Sequence, residues 1–197
     1  MDDPLLRGQT PAEYFKDLVE TSLSRQHLRP GALTEYYLVD LLCRFVRPDL
    51  RIPFHEDMGE PLAFRLRRAL ESGGMEQRAR LRNLGDVSLF TSGFFSDSLN
   101  RRAVDVDYYV SMGEYAYGSL GRRDTDAFGG VFTELARKFV AYMDVLADIS
   151  ERTGASASSD VLRLYERWLR TGSTRDGQRL VDRGVIPNAS VTTNFLQ

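Results

Sequence analysis

The chain has one cysteine, two histidines and, among its 26 basic residues, only two lysines, Lys16 and Lys138. One cysteine excludes an intrachain disulfide, and Cys43 sits in the apolar run YYLVDLLCRFV, where a buried, inert thiol is expected. His27 and His55 are too few for a zinc site of the Cys/His kind. The paired Glu-x-x-His motifs of a di-iron bundle are missing. FHEDMGE groups His55, Glu56 and Asp57 between prolines, which loop polarity explains without a cation. Phosphate loops, dinucleotide fingerprints and a nucleophile elbow are missing too, and His27, beside LRPG, makes a poor haem ligand. No metal and no cofactor are expected, and catalysis by a familiar chemistry is not favoured.

No apolar run approaches the roughly 18 residues of a membrane span. The opening MDDPLLRGQTPAEYF lacks the basic-then-apolar order of a signal peptide. The expectation is a cytoplasmic protein without a membrane partner. A net charge of −2 supplies no general attraction to nucleic acid. The 24 arginines fit a GC-rich, bacterial coding sequence, and they favour fixed bidentate pairs over mobile solvated charge.

What is present is helical periodicity, with no convincing alternating strand. Thr10-Pro11-Ala12-Glu13 is a capping box with proline at the first helical position, opening a helix to about Arg25 with Phe15, Leu18 and Ser22 on one face. Residues 32–47 are apolar almost all round, as a central helix would be. After the irregular RPDLRIPFHEDMGEP, the spacing predicts helices over 62–71 and 75–92, the latter ending at Gly93. Phe128, Phe132, Leu135, Phe139, Tyr142, Leu146 and Ile149 alternate steps of four and three, which predicts one continuous helix over 126–152. Helices over 160–170 (with Val161, Tyr165, Trp168 and Leu169) and 175–183 complete the pattern. The fold class expected is all-α: a compact bundle of seven to eight helices in one domain over 1–187, with 188–197 as a C-terminal tail.

Between them lies VDVDYYVSMGEYAYGSL, residues 104–120. At 100° per residue, Asp107, Ser111, Glu114 and Gly118 share a solvent face. Met112, Ala116, Tyr109, Leu120, Gly113, Val106, Tyr117 and Val110 fill an opposite arc that must be buried. Tyr108 and Tyr115 stand on its shoulder, where a ring packs while its hydroxyl reaches water. Gly85, Ser88 and Ser92 form a matching stripe of small residues, which predicts a close crossing of the two helices. Asp105 falls inside the apolar arc. It either caps the helix or joins Tyr108, Tyr109 and Tyr115 in an interior polar site. Arg82 with Asp86 and Asp40 with Arg44 read as solvated pairs four residues apart.

The leading functional expectation is a non-catalytic interaction or regulatory protein of adaptor type. It would bind another protein through aromatic and arginine side chains: Phe94, Phe95, Arg78, Arg82, Arg101 and Arg102, with Phe94-Phe95 as an exposed apolar joint. The alternative is a small-ligand-binding protein or enzyme with an interior pocket around Asp105, Tyr108, Tyr109 and Tyr115. A third reading takes the basic hairpin Arg65–Arg82 to phosphate backbone, although an acidic protein partner accounts for the same charge.

Overall fold

The capping box works as its residue types require. Thr10 accepts from the Glu13 amide at 3.3 Å while the Glu13 carboxylate accepts from the Thr10 amide at 2.7 Å, and α1 runs from there over Pro11–Arg25. The computed structural model describes residues 10–46, 61–96, 105–124, 126–153 and 171–182. Among them α2 covers Ala32–Val46, α3 Leu62–Glu71, α4 Gly74–Phe94, α5 Val106–Arg123, α6 Ala127–Arg137, α7 Phe139–Arg152 and α8 Thr174–Asp182. No strand occurs among the described residues. The loop with His55, Glu56 and Asp57, the predicted helix over 160–170 and the tail 188–197 lie outside them.

The segment enclosed on all sides is the C-terminal half of α4, not α2. Every residue from Leu84 to Phe94 is buried, whereas α2 keeps an outer face with Leu33 46% and Tyr36 67% exposed. The mean apolarity of α4 hides this, because Gly85, Asp86, Ser88, Thr91, Ser92 and Gly93 are small or polar and still enclosed. The predicted close crossing is found: α4 and α5 make the most extensive pairing among the described helices. A methyl group added at Gly85 would meet the Tyr117 ring at 2.6 Å, and one at Gly113 would overlap the Phe139 ring. Ser92 turns its hydroxyl back to the Ser88 carbonyl at 2.7 Å, so its polarity is absorbed by its own helix.

The expected continuous helix over 126–152 is two. Lys138, at φ −117° and ψ 28°, interrupts it between α6 and α7. Backbone hydrogen bonds resume at once on either side, from the Lys138 amide to Glu134 and from the Tyr142 amide to Lys138, both at 3.0 Å. The seam survives the break, with Phe132, Leu135, Phe139, Tyr142, Leu146 and Ile149 all at 2% exposure or less. Only the first member, Phe128, stands out, at 40%.

Glu134 ties α6 to the start of α2. Its carboxylate accepts from the Gly31 amide at 3.1 Å and the Thr34 hydroxyl at 2.8 Å, capping a helix that another element begins. Lys138 and the Tyr142 hydroxyl complete the set at 2.8 and 3.0 Å. Burial would raise the Glu134 pKa, but these donors outweigh it and hold the carboxyl down to about 2.

Candidate functional site

Three helices converge on Asp86. On α2, Tyr37, Asp40 and Arg44 occupy one face at spacings of three and four; α4 adds Arg82 and Asp86, one turn apart; α5 adds Tyr117, whose ring lies against Gly85. Asp86 is 1% exposed. Its Oδ1 accepts from the Tyr37 hydroxyl at 2.5 Å and the Tyr117 hydroxyl at 2.8 Å, and its Oδ2 from Arg44 Nη1 at 2.9 Å. A buried carboxylate without partners would cost several kcal/mol; here both oxygens are met.

The surroundings hold each donor in place. Phe132 stacks on Tyr117, with centroids 5.9 Å apart, and meets Tyr37 edge-on at 5.7 Å. Arg44 also pairs with Asp40 at 2.9 Å. Burial, and then the charge of Asp86, push both phenols far above the ordinary tyrosine value. They stay neutral hydrogen-bond donors at physiological pH. Arg44 is kept protonated more firmly than an ordinary arginine, because Asp86 outweighs the cost of its burial. Tyr37, Tyr117 and Arg44 therefore each keep one protonation state near neutral pH.

The cluster reaches the surface through Arg82. Its Nε donates to the Tyr37 hydroxyl at 3.1 Å, and its guanidinium lies 5.1 Å from the centre of the Tyr37 ring. Among the described residues, Asp40 and Asp86 are its nearest carboxylates, both at 3.8 Å. The Arg82 side chain remains 42% exposed.

The pair Arg82–Asp86 is thus not a solvated pair. Asp86 faces inward, and its principal partners come from α2 and α5, which helical spacing along α4 does not reveal. The expected pair Asp40–Arg44 is present and partly exposed. Asp105 is exposed rather than enclosed. The helix starts one residue later, so Asp105 has the extended backbone of an N-cap, φ −74° and ψ 148°, and the helical wheel does not apply to it. Its side chain makes no capping bond. Tyr108 accepts from the Ala63 amide at 2.7 Å, satisfying the start of α3. Tyr109 meets Tyr108 edge-on at 5.9 Å, and Tyr115 is 45% exposed. Of the tyrosines in this stretch, Tyr117 reaches the buried cluster.

Phe94 and Phe95 are not an exposed joint. Phe94 is the last residue of α4 and 7% exposed, stacked on Phe90 at 4.9 Å, with Phe95 edge-on to both. Arg78 is held by Asp124 at 2.8 Å and Asp126 at 3.0 Å. Arg101 and Arg102 lie outside the described residues. The hairpin arginines have local partners, since Arg65 bonds to Asn83, Arg67 to Glu71 and Arg80 to Glu76. Less free positive charge remains there than the residue count suggests. Cys43 is half-buried against the core. Among the described residues, no group of three or more His, Cys, Asp or Glu side chains could hold a metal, and no helix is long and apolar enough to cross a membrane. No protein-family model matches the chain, and neither the curated proteins nor the solved structures contain a significant match to it.

Proposed function

We propose that this chain is a non-catalytic cytoplasmic interaction protein, of adaptor or regulatory type. It captures another protein through an aromatic and arginine surface where α2, α4 and α6 adjoin. The observation that carries the reading is the seat of Arg82. Its guanidinium is fixed over Tyr37, yet among the described residues no carboxylate comes nearer than 3.8 Å. A side chain already immobilised by packing loses little entropy on binding, and a half-exposed guanidinium can fork onto a partner carboxylate.

Its neighbours suit the same role. Tyr36, 67% exposed, stands one turn before Asp40, which borders Arg82. Arg78, one turn before Arg82, holds Asp126, and Phe128 follows two residues later at 40% exposure. Tyrosine and arginine are the residue types that most often carry binding energy at interfaces. An acidic partner is the kind that Arg82 would select.

The test is affinity capture on immobilised wild-type chain beside Arg82→Ala and Tyr36→Ala. A specific partner should be lost from both variants while their helicity is retained. A partner held equally by all three chains overturns the reading.

A further inference from the structure

A cleft of about 800 Å³ opens between the end of α1, the length of α7 and the segment from Thr171 into α8. Five buried side-chain polar atoms lack a hydrogen-bond partner among the described residues, and three of them belong to residues lining this cleft: Asp148 Oδ2, Arg175 Nη1 and Arg175 Nη2. Folded proteins leave few such atoms, so a cluster of them needs an explanation.

The Arg175 side chain is 6% exposed. It approaches Glu151 at 2.6 Å and Asp176 at 3.8 Å, but neither Nη has an acceptor in line with its N–H bonds. Asp148 has Arg25 at 3.7 Å from Oδ1, a long contact from a side chain 60% exposed, and Oδ2 receives no donor. Other enclosed groups nearby are satisfied: Ser173 donates to Asp144 at 2.5 Å and accepts from the Asp176 amide at 3.2 Å. Asp148 and Glu151 are three residues apart on α7 and so share a face within one turn. Glu151 is where Arg175 sits. An unmet acceptor and a guanidinium whose close acid is out of line with its N–H bonds thus lie a helical turn apart on one wall.

We infer that this cleft binds a small zwitterion of the amino-acid class, its carboxylate forking onto Arg175 and its ammonium donating to Asp148. A simple anion would leave Asp148 Oδ2 without a donor, and a simple cation would bring the Arg175 Nη atoms no aligned acceptor. Five arginine and lysine residues and four acids line the cleft, a near balance that suits a ligand of no net charge. The three unmet atoms are buried. The ligand reaches them by displacing Arg25, 60% exposed, and by turning Glu151, 31% exposed, off Arg175 and onto Arg179, which it also meets at 2.6 Å. This site is separate from the Arg82 surface, and either could exist without the other.

The test is thermal unfolding and titration calorimetry of the full chain with the free amino acids, each beside its N-acetyl and carboxamide derivatives. At least one amino acid should raise Tm in proportion to its concentration. Both derivatives, each lacking one charge, should bind at least about tenfold more weakly. Asp148→Asn and Arg175→Gln should weaken the parent amino acid to a similar degree, while Arg25→Gln should not weaken it. Should Arg175→Gln fail to fold, Arg175→Lys, which keeps the charge but loses the fork, takes its place. The inference is overturned if no amino acid shifts Tm, if the derivatives bind as well as their parents, or if Asp148→Asn binds like wild type.

Discussion

The Tyr37 hydroxyl donates to Asp86 across 2.5 Å and accepts from Arg82 Nε at 3.1 Å, so a single phenol joins a buried carboxylate to a half-exposed guanidinium. Phenylalanine at this position would keep the ring beneath Arg82 and remove both bonds. Tyr37→Phe is expected to cost about 1.5–3 kcal/mol, the range for hydrogen bonds to charged groups. Urea unfolding measures it, and partner capture should weaken in parallel as Arg82 loses its seat.

Asp86 is the acceptor on which three helices meet. Asp86→Ala removes the acceptor of two buried hydroxyls and leaves Arg44 with Asp40 alone, and should destabilise the fold by about 3–5 kcal/mol. Asp40→Ala, at the partly exposed end of the same network, should cost less than about 1 kcal/mol. Denaturant midpoints of the two variants side by side would show that contrast, and similar midpoints would refute the inward role given to Asp86. The two aspartates look alike in the sequence, each four residues from an arginine. What separates them is the pair of tyrosine hydroxyls that α2 and α5 bring to Asp86.

The α4–α5 crossing depends on glycines for lack of space. Gly113→Ala would overlap the Phe139 ring and approach Ser88 Cβ at 3.0 Å, an overpacking expected to cost about 1–3 kcal/mol. At Gly130 an added methyl group meets nothing within 4 Å. Gly130→Ala, within α6, should instead stabilise by about 0.5–1 kcal/mol. Chemical denaturation should move the two midpoints in opposite directions.

Glu134 makes acid stability informative. Its folded pKa is lowered from 4.5 to about 2, so its contribution is complete above the unfolded value and is lost as pH falls from about 5 through the folded one. Glu134→Gln should lower Tm at neutral pH, and its difference from wild type should shrink over that acid range. A difference that stays constant with pH would mean that the carboxylate charge is not what clamps α2 to α6.

Phe94→Ala would remove a ring enclosed among Phe90 and Phe95. The expected effect is a loss of about 3–5 kcal/mol in global stability, read from the unfolding midpoint, and not a selective loss of binding with the fold intact.

Local chemistry was enough for much of this molecule. The start of α1, the extent of α3, the wet face of α5 and the small stripe on α4 are legible because caps, turn glycines and helical periodicity act over a few residues. Tertiary packing decided the rest: the one-residue break at Lys138, the enclosure of α4, the outward placement of Asp105 and the burial of Phe94 and Asp86. Whether a polar side chain ends up inside depends on the donors that distant helices deliver to it, and a pattern along one helix carries no record of them.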